Sequence, residues 1–241
     1  RRWADNLKSA KELPHVVRSK LAKELKKGRI AGPFLHWPLQ ELIISPLGVV
    51  PKKCEGDYRL IHHLSWPEGE SVNDFIAEKD TSVKYASVDD AITMVRRGGW
   101  GAEMAKSDIE SAFRLLPVHP CDFSLLGMQF EDAIYVDKVL PMGCSVSCSL
   151  FEMFSSFLQW ILTYSTGHKL VCHYLDDFLF VGRAGLHECE KTLQSFQSLC
   201  QEMGVPLAKD KTEGPETVLI FLGIELDSIS MIARLPAGKV L

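Results

Sequence analysis

Two adjacent carboxylates, Asp176 and Asp177, stand between two largely apolar runs, residues 170–174 and 178–181. Both runs are typical of β-strands, in which neighbouring residues point to opposite faces. Two acids that serve one site are therefore better placed at a hairpin turn, where this alternation breaks down. Because a buried carboxylate without a partner is costly, the pair needs a counter-charge, and a divalent cation is the strongest one available. An ordinary hairpin with a polar turn explains these residues equally well when they are taken alone.

A third carboxylate, Asp108, ends another predicted strand at residues 102–108, after which the chain turns away. We expect it to join the adjacent acids in a set of three carboxylates on neighbouring strands. Oxygen-only ligands favour a hard cation, Mg²⁺ or Mn²⁺, over zinc. Two such ions ~4 Å apart suit nucleotidyl transfer, in which a 3′-hydroxyl is activated and the leaving pyrophosphate is stabilised.

The chain has 241 residues and a hydrophobic content of 46%, which is enough for a sizeable core in one large domain or two subdomains. No apolar run reaches the ~18 residues that a membrane helix needs, so we expect a soluble protein without a membrane partner. The first residue is Arg1 and no signal peptide is visible, which predicts a segment of a longer protein.

Seven cysteines without a CxxC pair favour reduced thiols and an intracellular location, in the cytoplasm or the nucleus. The alternative, a zinc site formed by Cys144, Cys148, Cys172 and His173, matches no structural zinc spacing.

The sign of the charge is unevenly distributed along the chain. Residues 1–60 carry 13 Lys and Arg against 6 Asp and Glu, whereas the other 181 residues carry 14 against 25. A basic part followed by an acidic part suits a protein that holds a polyanion with one region and metal ions with the other. Solvated basic helices would give the same count, and charge alone favours that simpler explanation.

The hydrophobic periodicity predicts helices at residues 15–27, 87–98, 149–163 and 186–203, and a hairpin at residues 45–61. Ser149 and Glu152 resemble a capping box at the start of the third helix, whose nearly all-round apolar surface predicts burial against a sheet. Helices and strands mix without strict alternation. This pattern favours an α+β fold with an antiparallel sheet covered by helices on one face.

From about residue 47 to residue 226 the chain resembles the fingers and palm of a reverse transcriptase, most closely the retrotransposon enzymes of the tyrosine-recombinase (DIRS-like) group. Five motifs occur in the family's order, at residues 107–113, 140–147, 174–177, 204–211 and 221–224. Each motif alone is a weak signal, but together they place three acids where the chemistry needs them. The resemblance implies a right-hand polymerase fold, with mainly basic fingers at about residues 1–98 and, at about residues 99–241, mainly palm with some fingers insertion.

The resemblance also implies roles for individual residues. Asp108, Asp176 and Asp177 are the expected catalytic acids, and with Ile109 they form the set expected to hold two Mg²⁺ ions, or Mn²⁺ in their place. The expected nucleotide-binding residues are Lys52, Lys53, Arg59, Phe113, Met142, Gly143 and Lys211. The expected primer grip is Phe221, Leu222 and Gly223. The implied partners are deoxynucleoside triphosphates and an RNA or DNA template with its primer, while the oligomeric state stays open.

Phe113 lies five residues after Asp108, where the family places the aromatic ring that excludes a ribose 2′-hydroxyl. In this register it implies deoxynucleotide substrates, although a phenylalanine is more often simply part of a core. The chain departs from the family at His62 and His63, where many relatives carry Asp and Arg, and at Met142, which replaces a frequent Gln. We interpret the two histidines as a packed pair and not as acid–base groups.

Family members continue into a thumb and usually a ribonuclease H domain, and neither fits in the roughly fifteen residues after position 226. We therefore expect an RNA-directed DNA polymerase region that grips its primer–template weakly on its own. The alternatives are an inactive retroelement remnant that only binds nucleic acid, and a protein-interaction domain with a polar hairpin turn. The second alternative leaves the ordered motifs unexplained.

Overall fold

The computed structural model describes residues 2–52 and 56–239. The chain divides into two compact units, each built from two chain segments. The first comprises residues 1–82 and 113–149, and the second comprises residues 83–112 and 150–241. The expected division into fingers and palm near residue 98 stays a prediction.

Helices and strands alternate irregularly along the described chain, as the sequence predicted. The α-helices are α1 (Lys8–Glu12), α2 (Pro14–Lys26), α3 (Glu78–Thr81), α4 (Val88–Gly98), α5 (Ser147–Thr166) and α6 (Glu188–Glu202). The strands are β1 (Arg2–Trp3), β2 (Ile30–Phe34), β3 (Ile43–Ile44), β4 (Leu47–Pro51), β5 (Tyr58–His62), β6 (Glu103–Asp108), β7 (Gly127–Phe130), β8 (Ala133–Asp137), β9 (Val171–Tyr174), β10 (Asp177–Gly182), β11 (Glu213–Glu216), β12 (Val218–Phe221), β13 (Ile224–Asp227) and β14 (Ile232–Arg234). Each described helix is too short or too polar to cross a lipid bilayer.

The first unit contains a five-stranded sheet in the order β1-β3-β7-β8-β2 and the separate β4-β5 hairpin. Helix α2 turns Val17 and Leu21 toward this hairpin, where both side chains pack in one buried cluster with Leu47 and Val49. The basic side chains of α2 lie on its other faces, as its amphipathic spacing predicted. The predicted hairpin and the predicted helix are both confirmed.

The second unit is organised on an antiparallel sheet in the order β11-β6-β10-β9. A smaller sheet, β12-β13-β14, lies in the same unit. The central strand β10 is apolar at consecutive positions, and residues 178–181 are all buried. A continuous apolar run of this kind buries both faces of a strand, so neither face of β10 is left to solvent.

The α+β fold class is confirmed, but the expectation that helices cover only one face of the sheet was wrong. Leu179 and Val181 of β10 pack in a cluster with Met94 of helix α4. Phe178 and Phe180 alternate to the opposite face, where both rings contact Phe196 of helix α6. Helices therefore pack on both faces, because both faces of β10 are apolar.

Helix α5 differs from its prediction at the N-terminus and on its surface. It begins at Ser147, whose hydroxyl donates to the Pro141 carbonyl at 2.5 Å. Ser149 is therefore inside the helix. Its hydroxyl donates to the backbone carbonyls of Asp80, at 2.6 Å, and Val146, at 3.0 Å. It does not form the predicted capping box. One side of the helix is also open to solvent, with Trp160 at 59% and Tyr164 at 79% exposure. Apolar composition alone overestimated the burial of this helix.

Candidate active site

The two adjacent acids lie at the tip of a hairpin, as predicted. Strands β9 and β10 pair with Tyr174 opposite Asp177, so Leu175 and Asp176 form the turn. Leu175 has a positive φ of 53°, which is uncommon for a residue with a branched side chain. This local conformation ends the strand alternation and allows both carboxylates to serve one site.

The third carboxylate is brought to the same place by strand pairing. Asp177 of β10 lies directly opposite Asp108 of β6, so the two side chains stand on one face of the sheet. A ligand oxygen from each of Asp108, Asp176 and Asp177 lies within 4.8 Å of the other two. Among the residues that the structure describes, this is the one group of acids, histidines or cysteines with such geometry.

The three acids are partly removed from water and repel one another. Burial, the charge of Asp176 and the charge of Asp108 raise the pKa of Asp177 to about 6. Burial and the Asp108 charge also raise the pKa of Asp176. Lys211 offsets part of this negative charge, since its ammonium lies 2.9 Å from an Asp108 carboxylate oxygen. One lysine against three carboxylates leaves a site whose charge and oxygen donors fit hard divalent cations.

Replacing Asp177 by Asn should stabilise the metal-free protein. The folded state holds the Asp177 proton more tightly than the unfolded state, so stability falls as pH rises from the ordinary pKa of 3.8 to about 6. Asn removes this penalty, and after allowance for solvent screening we expect a gain of about 1 kcal/mol above pH 6. Urea unfolding in the presence of a chelator at pH 4 and pH 7.5 measures it. An equal effect at both pH values would contradict the electrostatic cause.

The second unit also contains the other predicted metal-binding residue, Ile109, the predicted nucleotide-binding Lys211 and the predicted primer grip. Ile109 is buried, and its backbone N–H donates to the Asp176 carbonyl at 3.0 Å. Because its side chain is apolar, the carbonyl oxygen is the one atom of Ile109 that could bind a metal ion. Lys211 approaches Asp108, as described above. Phe221 ends strand β12, and Leu222 and Gly223 form its turn with φ values of 48° and 81°. Phe221 is buried in the cluster with β10, so its ring supports the turn from within.

Two of the three predicted phosphate-binding cations, Lys52 and Arg59, belong to the β4-β5 hairpin of the first unit. Lys52 lies close to the tip, and its ammonium is 2.6 Å from a carboxylate oxygen of Asp57, which also contacts Lys20. Arg59 is exposed on β5, and Lys53 lies outside the described residues. Lys52 is therefore held by an acid that the sequence analysis did not single out.

The loop that carries Met142 and Gly143 is fixed by a residue that the sequence analysis missed. Asn73 donates from its amide to the Gly143 carbonyl at 2.9 Å and accepts from the Ser145 N–H at 2.9 Å. Met142 is half exposed beside this anchor. The contact joins residues about 70 positions apart, and no local pattern at Asn73 indicates it.

Position 143 requires glycine because the backbone of His62 leaves no room for a side chain. A Cβ atom at this position would lie 1.9 Å from the carbonyl oxygen of His62, which is backbone and cannot rotate away. We expect Gly143→Ala to lower the free energy of unfolding by about 1–3 kcal/mol and to displace the Met142 loop. Chemical denaturation measures the loss, and Gly238→Ala is a control in a position with open space and without a positive φ. Equal stability of Gly143→Ala and the wild type would contradict the steric account.

The two remaining predicted features of the first unit also have clear surroundings. His62 is buried, its Nε2 lies 3.1 Å from the Gly127 carbonyl, and burial lowers its pKa to about 4. This agrees with a packed histidine. Phe113 is half-buried and precedes Arg114, whose guanidinium contacts Glu24 at 2.8 Å and Asp137 at 2.6 Å. This ion cluster holds the short segment that contains Phe113, and its role as a steric gate stays a prediction.

Residues 50–226 match the sequence model of a family described as reverse transcriptase (RNA-dependent DNA polymerase). The chain belongs to the reverse transcriptase family. The match covers the hairpin cations, the three acids and the predicted primer grip, so the family resemblance seen in the motifs is confirmed.

Individual relatives of this reverse transcriptase chain are distant and much longer. It is 25% identical over 231 residues to the Gag-Pro-Pol polyprotein of Simian retrovirus SRV-2, covering 91% of this chain and 12% of that protein. It is 28% identical over 130 residues to Protein P of Duck hepatitis B virus (strain Germany/DHBV-3), covering 50% of this chain and 15% of that protein. The chain thus spans a minor part of these curated relatives.

Solved structures show the same fold. The foamy viral protease-reverse transcriptase in complex with double-stranded DNA superposes with a TM-score of 0.74 and 16% identity, over 99% of this chain and 37% of that chain. The same viral protein in complex with an RNA/DNA hybrid gives a TM-score of 0.74 and 17% identity, over 99% of this chain and 28% of that chain. At this level of identity the likeness establishes the fold alone.

Proposed function

We propose that this chain is the polymerase region of an RNA-directed DNA polymerase, which transfers deoxynucleotides to a primer 3′-hydroxyl. The observation that carries the proposal is the register of Asp108 against Asp177, which gathers three carboxylates within 4.8 Å in a chain of the reverse transcriptase family. Family membership alone does not separate an active enzyme from a decayed copy. The intact acid cluster supports the active form.

The three acids share one task in this proposal, and Lys211 has another. Asp108, Asp176 and Asp177 would hold two Mg²⁺ or Mn²⁺ ions, with the Ile109 carbonyl as a further oxygen donor. When bound, the ions would lower the pKa of the primer hydroxyl and stabilise charge on the leaving pyrophosphate. Lys211 offsets part of the negative charge of the three acids through Asp108, and it would be available to the triphosphate once cations take over that neutralisation.

The nucleotide and nucleic-acid contacts are assigned from the resemblance. Arg59 and Lys52 or Lys53 would bind the triphosphate, Phe113 would contact the sugar, and the loop of Met142 and Gly143 would pack on the incoming nucleotide. Template–primer is the proposed macromolecular partner, a role supported by the DNA and RNA/DNA hybrid in the foamy viral structures.

The motif pattern further supports a retrotransposon origin in the DIRS-like group, with ribonuclease H elsewhere in the full-length protein. We propose an intracellular site of action, because the described cysteines include several buried free thiols.

Primer extension tests the proposed function. A DNA primer on a heteropolymeric RNA template, with all four deoxynucleotides and Mg²⁺ or Mn²⁺, should be extended by the 241-residue chain or by a longer product of its reading frame. Extension that stops on addition of a chelator supports an active, metal-dependent polymerase. Tight template–primer binding without extension in either chain favours the alternative, an inactive remnant that acts as a nucleic-acid-binding module.

A further inference from the structure

The turn that carries the catalytic acids has a strained conformation that needs support. Leu175 adopts a left-handed backbone with φ of 53°, in which the Cβ of an ordinary residue crowds its own backbone. Such conformations persist where the surroundings fix them. Because Asp176 and Asp177 follow directly, the backbone angles of Leu175 set the direction of both carboxylates.

The support comes from Glu152 on helix α5. The Leu175 N–H donates to Glu152 Oε2 at 3.2 Å, although 23 residues separate the two positions. The Glu152 side chain is 12% exposed, so this contact is shielded from water. Burial raises the pKa of Glu152, while the Leu175 N–H acts in the opposite direction. A buried carboxyl is costly without a partner, and the Leu175 N–H provides one.

The ring of His173 on strand β9 lies beside the Glu152 carboxyl, and burial lowers the pKa of His173 to about 4, so the ring is neutral. The His173 Nε2 lies 3.0 Å from Glu152 Oε1, a short contact without good hydrogen-bond geometry. The ring is oriented from its other side, since Nδ1 lies 2.6 Å from Gln159 Oε1. It also stacks on Phe178 with ring centroids 5.2 Å apart. The His173 ring therefore borders the Glu152 carboxyl by packing, and the hydrogen bond that Glu152 accepts comes from the Leu175 N–H.

The next residue of the turn is fixed from another direction. The Asp176 carbonyl accepts from the Ile109 N–H at 3.0 Å, which ties the turn to the strand that carries Asp108. Glu152 holds the start of the turn, and Ile109 holds its second residue. Loss of the Glu152 acceptor would leave Leu175 free to relax to an ordinary backbone conformation and would turn the acids that follow it.

We propose that Glu152 is a positioning residue, which holds the left-handed Leu175 turn and thereby aims Asp176 and Asp177 at the metal ions. Glu152 itself contacts neither nucleotide nor metal in this role. The inference rests on the proposed function for the role of the two aspartates, whereas the support of the turn is independent of it. In the sequence Glu152 fits a helix cap, which the structure excludes because the helix begins at Ser147.

Two substitutions separate the acceptor from simple packing. Glu152→Gln keeps an amide oxygen that can accept from the Leu175 N–H, whereas Glu152→Leu has a similar size and no acceptor. In the metal-free 241-residue chain, we expect the Leu175 amide to exchange its hydrogen about tenfold faster in Glu152→Leu and at the wild-type rate in Glu152→Gln. That factor corresponds to ~1.4 kcal/mol, within the range for an ordinary intramolecular hydrogen bond. Rates are compared after normalisation to the slowest amides of each variant.

Binding of Mn²⁺ provides the second measurement. We expect the dissociation constant, followed by the electron paramagnetic resonance signal of free Mn²⁺, to rise about 10- to 100-fold in Glu152→Leu and to stay near wild type in Glu152→Gln. Leu162→Ala is the matched control, because it opens a cavity under the same helix and leaves Glu152 in place. It should speed exchange generally without a selective effect on Leu175.

The outcomes distinguish the positioning role of Glu152 from the metal site of the proposed function. Exchange at Leu175 that rises no more in Glu152→Leu than in Leu162→Ala would overturn the positioning role. A wild-type chain that binds no Mn²⁺ would instead overturn the metal site of the proposed function. Rescue of both readouts by Glu152→Gln supports the positioning role.

Discussion

Primer extension should fall by ~10³-fold or more when Asp108 is replaced by Asn. Stabilisation of transition-state charge by metal ions is worth several kcal/mol, and ~4 kcal/mol corresponds to a factor of this size. Asp108 is the acid opposite Asp177 across the β6-β10 pair, so no neighbouring strand residue can replace its oxygen. Initial rates at saturating Mg²⁺ and Mn²⁺ measure the loss.

The same substitution should leave the fold intact. Asn keeps the shape of Asp and removes one of three mutually repelling charges, although it also weakens the contact to Lys211. Asp210→Asn is a matched control, since it removes an exposed carboxylate next to Lys211 and outside the cluster. A cooperative unfolding transition in both variants, with extension lost only in Asp108→Asn, is the expected result. Wild-type turnover of Asp108→Asn at saturating Mg²⁺ would refute the assignment of the acids.

The acid cluster was predictable because its residues are positioned by local rules. The apolar runs on both sides of Asp176 and Asp177 predict two strands, and the pair falls where the turn must be. Asp108 comes at the end of a third predicted strand, which the structure gives as β6. The order of the motifs then supplied the strand neighbours, which periodicity alone does not give. The structure adds the register that sets Asp108 opposite Asp177.

The residues that support the acid turn and those that fix the Met142 loop were not predictable, because their contacts join distant parts of the chain. Glu152 fits a helix cap in sequence, and only the folded chain shows that its carboxylate accepts from Leu175. Asn73 looks like an ordinary loop residue until its amide meets the backbone at Gly143. The exposure of α5 was missed for a related reason. The composition of a helix shows how apolar its surface is, but tertiary packing decides how much of that surface is buried.

The second large effect concerns the choice between ribose and deoxyribose, and it depends on Phe113. The family resemblance assigns this ring to the position under the nucleotide sugar, with no room for a 2′-hydroxyl. A hydroxyl forced against an apolar ring loses its water and gains no hydrogen bond, so the native site should reject ribonucleotides by a few kcal/mol. The rejection comes from shape, because the ring carries no charge.

Phe113→Val should therefore raise ribonucleotide incorporation relative to deoxynucleotide incorporation by ~10²-fold or more. Relief of ~2.7 kcal/mol of unfavourable contact corresponds to this factor. The opposing effect is lost packing, since Phe113 is half-buried and leads into the Arg114 ion cluster. If Phe113 were only a packing residue, the substitution would lower the free energy of unfolding by ~1–3 kcal/mol and depress both substrates equally.

Phe123→Val provides the comparison that separates these two explanations. Phe123 is a half-buried phenylalanine of the same compact unit and packs beside a buried cluster at residues 42–44 and 134–136. Its truncation should cost similar stability without a change in sugar preference. Both kcat/KM values, for a ribonucleotide and its deoxynucleotide on one primer–template, give the ratio directly. A ratio that is unchanged in Phe113→Val, or that changes equally in Phe123→Val, would defeat the steric gate, because lost packing alone would then account for the effect.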